Sequence, residues 1–406
     1  MTGSLSLLYR NKSFGALWCG RFISNFGDRL EIVAVPWLIY DMTGSASGVA
    51  LWYIAISLPS ILFGSAVGVL IDRFDRKSVM IASDLIRALL LCLLPLAQTP
   101  FQVYAVAFAI STFFTLFDPA MGAALPDLVG EGDALIVANS LTSTADAVTV
   151  ILGPVVGGLI IARMGLAAAF YLDALSFLAS AVIIGAIGIP RARGHRKTGS
   201  RFRRDWLAGF TFMRRHPTTL LLILIAALPR LVVGVHGSLL VVFARESLRA
   251  GSEGYGYLTG AIGVGTLVGS LGLGAFGSGR RKGGLIQVGL VFCGLLLVLF
   301  GFTTALWLAV AVRLVYGLGH ALYRTSAGTM LQEEVPSRLR GRVLSVGTSL
   351  RDSAMLLSSA VAGLLADSLG AGRIFMGTGV LLLTVGMVGG QMLKQASRRD
   401  ARQAAV

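Results

Sequence analysis

Apolar runs of membrane-crossing length recur from one end of the chain to the other, and no other feature constrains the fold so tightly. A hydrocarbon core about 30 Å thick takes roughly 20 residues of helix. Twelve segments reach that length, at about 14–40, 46–70, 78–97, 102–126, 135–160, 166–189, 218–243, 255–276, 284–303, 305–329, 342–368 and 372–393. They lack the period-two alternation of a barrel strand, and helices satisfy their own backbone polar groups in lipid. The expected fold is an all-α membrane protein with twelve transmembrane helices. Hydrophobic residues make up 55% of the chain and charged ones 14%, where a soluble domain carries about 25% charged.

Charge orients the spans. With the N-terminus inside, 24 of the 35 Lys and Arg fall on inner segments. Four fall outside (Arg163, Arg245, Arg249 and Arg373), and the rest lie within spans. This positive-inside bias predicts both termini in the cytoplasm, and the expected location is a bacterial inner membrane. It accounts for the net charge of +15 through anionic lipid heads, so no nucleic acid partner is expected. The first apolar segment is span-length and charged, unlike a cleaved signal peptide. Cys19, Cys92 and Cys293 offer neither metal nor disulfide spacing. No P-loop, metal-ligand spacing or catalytic constellation stands out, so neither a cofactor nor an enzyme is expected. A monomer is expected.

Residues 190–217 form a basic linker with nine Lys and Arg. It separates a six-span bundle at 1–189 from a second at 218–406. Within it, Asp205–Arg215 can lie on the membrane as an amphipathic piece, or the whole segment can be a soluble linker whose charge sets topology. The halves read as diverged, pseudo-symmetric repeats, the expected build of a rocking carrier. Arg76-Lys77 and Arg281-Lys282 lie 205 positions apart, and Pro126, which closes the fourth span, lies 210 before Pro336.

The segment GVLIDRFDRK resembles the cytoplasmic loop signature of the major facilitator superfamily at Gly68, Leu70, Asp72, Arg73, Arg76 and Lys77, with Asp75 where Gly is usual. LGPVVGGLI is similar to the antiporter motif of the fifth span at Gly153, Pro154, Gly157 and Gly158; Thr149 stands where that motif often has another Gly. Further matches include Gly27-Asp28, Pro36-Trp37, Asp84–Arg87, Pro126–Val129 and Arg340–Val343. Together they resemble the drug-proton antiporter branch that includes macrolide efflux proteins and the enterobactin exporter. The resemblance implies alternating access, with spans one, four, seven and ten lining a central cavity.

The residues support roles of their own. Gly68 lets helices approach, and the charges of Asp72, Arg73, Arg76 and Lys77 can form a conformational latch at the inner mouth. A tight turn obeying charge rules is the plainer reading. Gly153-Pro154 should kink the fifth span, with Gly157 and Gly158 flat against a partner helix.

A charge at mid-membrane costs about 2.5–3.5 kcal/mol on insertion scales, so it must pair or face a cavity. The first span carries Arg21, Asn25, Asp28, Arg29 and Glu31 on one side. Proton-coupling candidates are Asp28, Glu31, Asp118 and Asp146. Substrate-binding candidates are Asn25, Arg230, Arg313, Tyr316, His320 and Tyr323, with Arg324 near the inner end set to snorkel. Asp84 and Arg87, three apart, read as a structural pair. The acids sit mainly in the first half and the bases in the second, which suits an amphiphile with a polar or anionic end. Ion pairing with no ligand involved explains the same distribution. The expected function is proton-coupled export of a small lipophilic or amphiphilic molecule, with protons and membrane lipids as further partners. Uptake symport and lipid or lysolipid carriage by the same fold remain alternatives.

Overall fold

A computed structural model describes residues 2–189, 210–211, 213–214, 217–276, 282–335 and 337–403. A short α1 (Thr2–Arg10) precedes six long helices: α2 (Lys12–Thr43), α3 (Ala46–Arg73), α4 (Arg76–Leu91), α5 (Pro100–Val129), α6 (Asp133–Met164) and α7 (Leu166–Ala186). Six more follow the linker: α8 (Pro217–Glu246), α9 (Ser252–Phe276), α10 (Lys282–Phe302), α11 (Leu306–Glu334), α12 (Ser337–Leu369) and α13 (Ala371–Gln403). The described residues contain no strand. Most of the linker, including most of Asp205–Arg215, lies outside the described residues.

Eleven of the twelve long helices are apolar enough to cross a membrane by composition. The remaining one, α2, is 32 residues long and carries Arg21, Asp28, Arg29 and Glu31 in its middle. Arg21 and Asp28 turn inward to partners on α5 and α4, which helps a span of that composition to be tolerated. Apolar side chains such as Leu89, Val182, Leu271 and Leu364 stay exposed on the outer faces, where lipid replaces water as solvent.

Local chemistry sets the helix ends. Asp75 caps α4, accepting from the Ser78 amide at 3.0 Å and its hydroxyl at 2.9 Å, so the residue that departs from the loop signature has a local reason. Thr99 and Gln102 form a capping box ahead of α5. The expectation that Pro126 closes the fourth span needs correction: α5 runs on to Val129. Proline removes only the bond its own nitrogen would donate. The helix stops at Gly130, which has φ 81° and donates its amide to the Pro126 carbonyl at 2.9 Å.

The chain forms two compact units. One comprises residues 1–44, 54–198 and 251–260; the other comprises 45–53, 199–250 and 261–406. Each therefore includes a short piece from the opposite half of the sequence, a detail absent from the simple division at the linker. In the first unit α2 packs on α6 and α7, and α4 on α5 and α7, around Leu17, Met80, Phe117 and Ile184. Residues 251–260 join it through α6: Ser252 Oγ donates to the Gly158 carbonyl at 3.0 Å. In the second unit α10 packs on α11 and α13, and α8 on α12. Residues 45–53 join it where Asp367 accepts from the Ala46 amide at 3.1 Å and from Ser45 Oγ at 2.9 Å.

Candidate functional site

In the first unit, α2 is the hub of a polar network. Arg21 pairs with Asp118 of α5, and Asp28 pairs with Arg87 of α4. Asn25 donates to Asp146 of α6 at 2.5 Å. The proton-coupling candidates Asp28, Asp118 and Asp146 are thus each engaged by a side chain of a neighbouring helix, and Glu31 is buried beside Asp28. Arg87 is only 2% exposed. Its guanidinium lies over the Phe177 ring at 3.8 Å and near Phe114 at 5.2 Å, a face-on placement that aromatic quadrupoles favour.

The expected Asp84–Arg87 pair does not form. Spacing of three on α4 puts both on one face, but Arg87 reaches across to α2 instead. Asp84 is 0% exposed, and neither carboxyl oxygen has a hydrogen-bond partner. A second buried acid escaped the sequence reading altogether. Asp173 of α7 is 0% exposed and lies near Asp28, Glu31 and Arg87. Gly27 of α2 makes room for it: a Cβ there would strike the Asp173 carboxyl and Ser176 Oγ. The available signal was a lone acid in an otherwise apolar sixth span, which is costly enough to require a role.

In the second unit the substrate candidates of α11 are inside the bundle. Tyr323 is 0% exposed, Arg313 and Tyr316 each 4%. The His236 ring of α8 lies 5.0 Å from Phe375 and 6.0 Å from Tyr316, and Arg313 lies 5.5 Å from the Phe300 ring. His236 Nδ1 sits 3.0 Å from the Val232 carbonyl; a carbonyl only accepts, so that nitrogen carries the hydrogen. His320 packs between Tyr316 and Tyr323. Arg230 is half exposed, 3.9 Å from Asp352 of α12. Arg324, set aside by sequence as a snorkelling residue, lines a cavity of about 360 Å³ with Thr266, Ser270, Thr325, Thr329 and Gln332. Most of that lining is hydroxyl or amide, and one guanidinium supplies the charge.

At the loop signature, Arg76 pairs with Asp127 and donates to the Ala123 carbonyl at 2.6 Å. Lys77 donates to the Gly185 and Ile187 carbonyls, each at 2.7 Å, so it caps the C-terminal end of α7. The side chains of Gly68, Asp72 and Arg73 lie outside the described residues. In the fifth-span motif, Gly153 lies against the Arg29 side chain, Gly157 against Leu30, and Gly158 against the Ser252 carbonyl. Pro154 lies within continuous helix, and its carbonyl faces Gly256. Glycine at 153, 157, 158 and 256 allows the close helix approach.

Comparison with known proteins gives this arrangement a family. The family profile described as transmembrane secretion effector matches residues 2–404. The chain belongs to this family of major facilitator transporters. The MFS-type transporter YfiS of Bacillus subtilis is 29% identical over 94% of this chain and 93% of that protein. Macrolide efflux protein A of Streptococcus pyogenes is 24% identical, over 92% and 94%. Enterobactin exporter EntS of Escherichia coli is 27% identical over 94% of each. Among solved structures, a point mutant of the nucleoside transporter NupG superposes with a TM-score of 0.78 at 14% identity, covering 93% of this chain and 99% of that one; at that identity it speaks for the fold. The protein is therefore a multi-pass membrane transporter of small molecules rather than an enzyme.

Proposed function

We propose that this transporter exports a small amphiphilic compound from a bacterial cell in exchange for protons, by alternating access across the inner membrane with both termini in the cytoplasm. The observation that carries the reading is the ion pair between the buried Arg87 and the partly buried Asp28 inside the spans of the first unit. An intramembrane pair of this kind is costly to desolvate and responds to protonation of its acid, so it can couple a proton to a change of state. A proton moving inward gains about 2.3 kcal/mol per 100 mV. Glu31 lies beside the pair, and Asp118 and Asp146 are engaged by Arg21 and Asn25 of the same helix. Export is supported by full-length relatives whose names state efflux of macrolides or export of enterobactin.

For the substrate, the Arg324 cavity suits an anionic or strongly polar end, since guanidinium holds a carboxylate or phosphate in two parallel bonds. Arg313, Tyr316, His320 and Tyr323 stand along the same helix, and Arg230 on α8. Asn25 belongs to the first-span stripe. Arg76 and Lys77, with Gly68, Asp72 and Arg73, form the latch in this reading. The test is transport in proteoliposomes of a panel that includes a macrolide and enterobactin, with and without an imposed pH gradient. Uphill movement that collapses with the gradient is expected. Equal transport with and without the gradient overturns proton coupling.

A further inference from the structure

Within the first unit, α2, α4 and α7 bring four carboxyls around a single guanidinium. Arg87 pairs with Asp28. Among the described residues no cation pairs with Glu31, Asp84 or Asp173. Asp84 and Asp173 are 0% exposed and Glu31 9%. Arg21, the other cation near Asp84, is committed to Asp118. On α6, Asp146 is turned to Asn25 and does not relieve the group.

Both oxygens of Asp84 and Oδ2 of Asp173 are buried without a hydrogen-bond partner. Ser176 Oγ donates to the Asp173 backbone carbonyl at 2.7 Å and lies 3.3 Å from Oδ1. A buried carboxylate with no cation and too few donors is far less stable than the neutral acid. A bound metal ion is the alternative remedy, but among the described residues no three His, Cys, Asp or Glu side chains converge as metal ligands would. The ligand chemistry that fits is a proton.

Arg87 is placed to serve more than one acid. Phe177, whose ring it covers at 3.8 Å, is one helical turn from Asp173 on the same face of α7. We propose that Asp173, with Glu31 beside it, is a buried proton-holding site of this transporter, and that Arg87 exchanges its partner between Asp28 and Asp173. A proton taken up by the Asp28 carboxylate breaks its pair with Arg87. The guanidinium then pairs with Asp173, whose carboxyl proton leaves to water. One proton enters, one leaves, and the charge of the cluster is unchanged. Span six thereby supplies a coupling group away from the first-span stripe.

This inference rests on the proton-exchange reading and is tested separately from it. The readout is the C=O stretch of protonated carboxyl in infrared difference spectra of the lipid-reconstituted full chain, taken between acid and alkaline pH with H/D exchange. Wild type should show a buried carboxylic acid band. Asp173→Asn should remove or halve it, and Ser176→Ala should shift its frequency by removing the one hydroxyl beside the carboxyl. Asp367→Asn, in the other unit, serves as a control and should leave the band unchanged. A wild-type protein without such a band overturns the inference even if no variant folds, and so does an unchanged band in folded Asp173→Asn. Transport in the same vesicles separates the two claims. Gradient-driven export that survives Asp173→Asn at the wild-type rate overturns the site and leaves proton-coupled export standing. A wild type indifferent to the gradient overturns the coupled exchange at Arg87.

Discussion

At the residue scale, the Asp28–Arg87 pair shows how a span with four charges can persist in lipid. Arg87 is buried on all sides by α2, by Phe114 and by Phe177. Arg87→Met should leave Asp28 without its cation and destabilise the protein by about 3–5 kcal/mol, read as a lowered melting temperature in detergent. Asp28→Asn combined with Arg87→Met should recover much of that loss, because the cost comes from one charge left alone. If the single and double variants melt alike, the pair contributes through packing instead. Gly27 tests the same seam from its other side. A methyl group at Gly27→Ala meets the Asp173 carboxyl and Ser176 Oγ, so a loss of about 1–3 kcal/mol from overpacking is expected. Melting at the wild-type temperature would show that α2 and α7 can separate without cost.

At the element scale, sequence legibility differs from helix to helix. All twelve spans were readable, because a run of some 20 apolar residues has few other uses. Their ends were less so. Pro126 read as a terminator and is an interior residue, while Gly130 stops the helix. Asp75 read as a departure from a motif and is the cap of α4. Asp75→Ala should therefore cost about 1 kcal/mol, whereas Asp75→Ser should be nearly neutral, both measured by thermal unfolding. The glycines of the fifth-span motif belong to this scale too. Gly158 faces the Ser252 carbonyl and Gly256 faces that of Pro154, so Gly158→Leu should separate α6 from residues 251–260. Cross-linking of a cysteine pair at positions 155 and 260, which lie in contact, should fall severalfold in that variant, and unchanged cross-linking would show that the contact does not depend on the glycine.

At the scale of the whole molecule, the internal repeat shows in its polar pairs. Arg76 pairs with Asp127, and Lys282 pairs with Glu333; both members of the second pair lie 206 positions after those of the first. Asn25 with Asp146, and Arg230 with Asp352, join the first and fifth spans of each half in the same way. The Lys282–Glu333 pair is largely exposed, so Lys282→Ala should change stability by no more than about 1 kcal/mol. Its effect should fall on the balance of transport states, read as altered exchange rates in proteoliposomes at unchanged melting temperature. Unchanged exchange would make it a surface pair only.

The sequence by itself determined the long helices, the internal repeat and the family. The helices rest on composition and short-range spacing, which lipid enforces strictly because it supplies no hydrogen bonds, and the repeat and the family rest on motifs readable along the chain. The tertiary structure alone decided which charge meets which. Arg87 is three residues from Asp84 and 59 from Asp28, yet it pairs with Asp28, since helix packing and not sequence distance sets which faces meet. Asp173 became visible only when Gly27 was seen to hold α2 against it, and Arg324 only when α9 and α11 were seen to enclose a polar cavity. A lone charge in an apolar span announces that it has a partner; only the packing of the helices shows what the partner is.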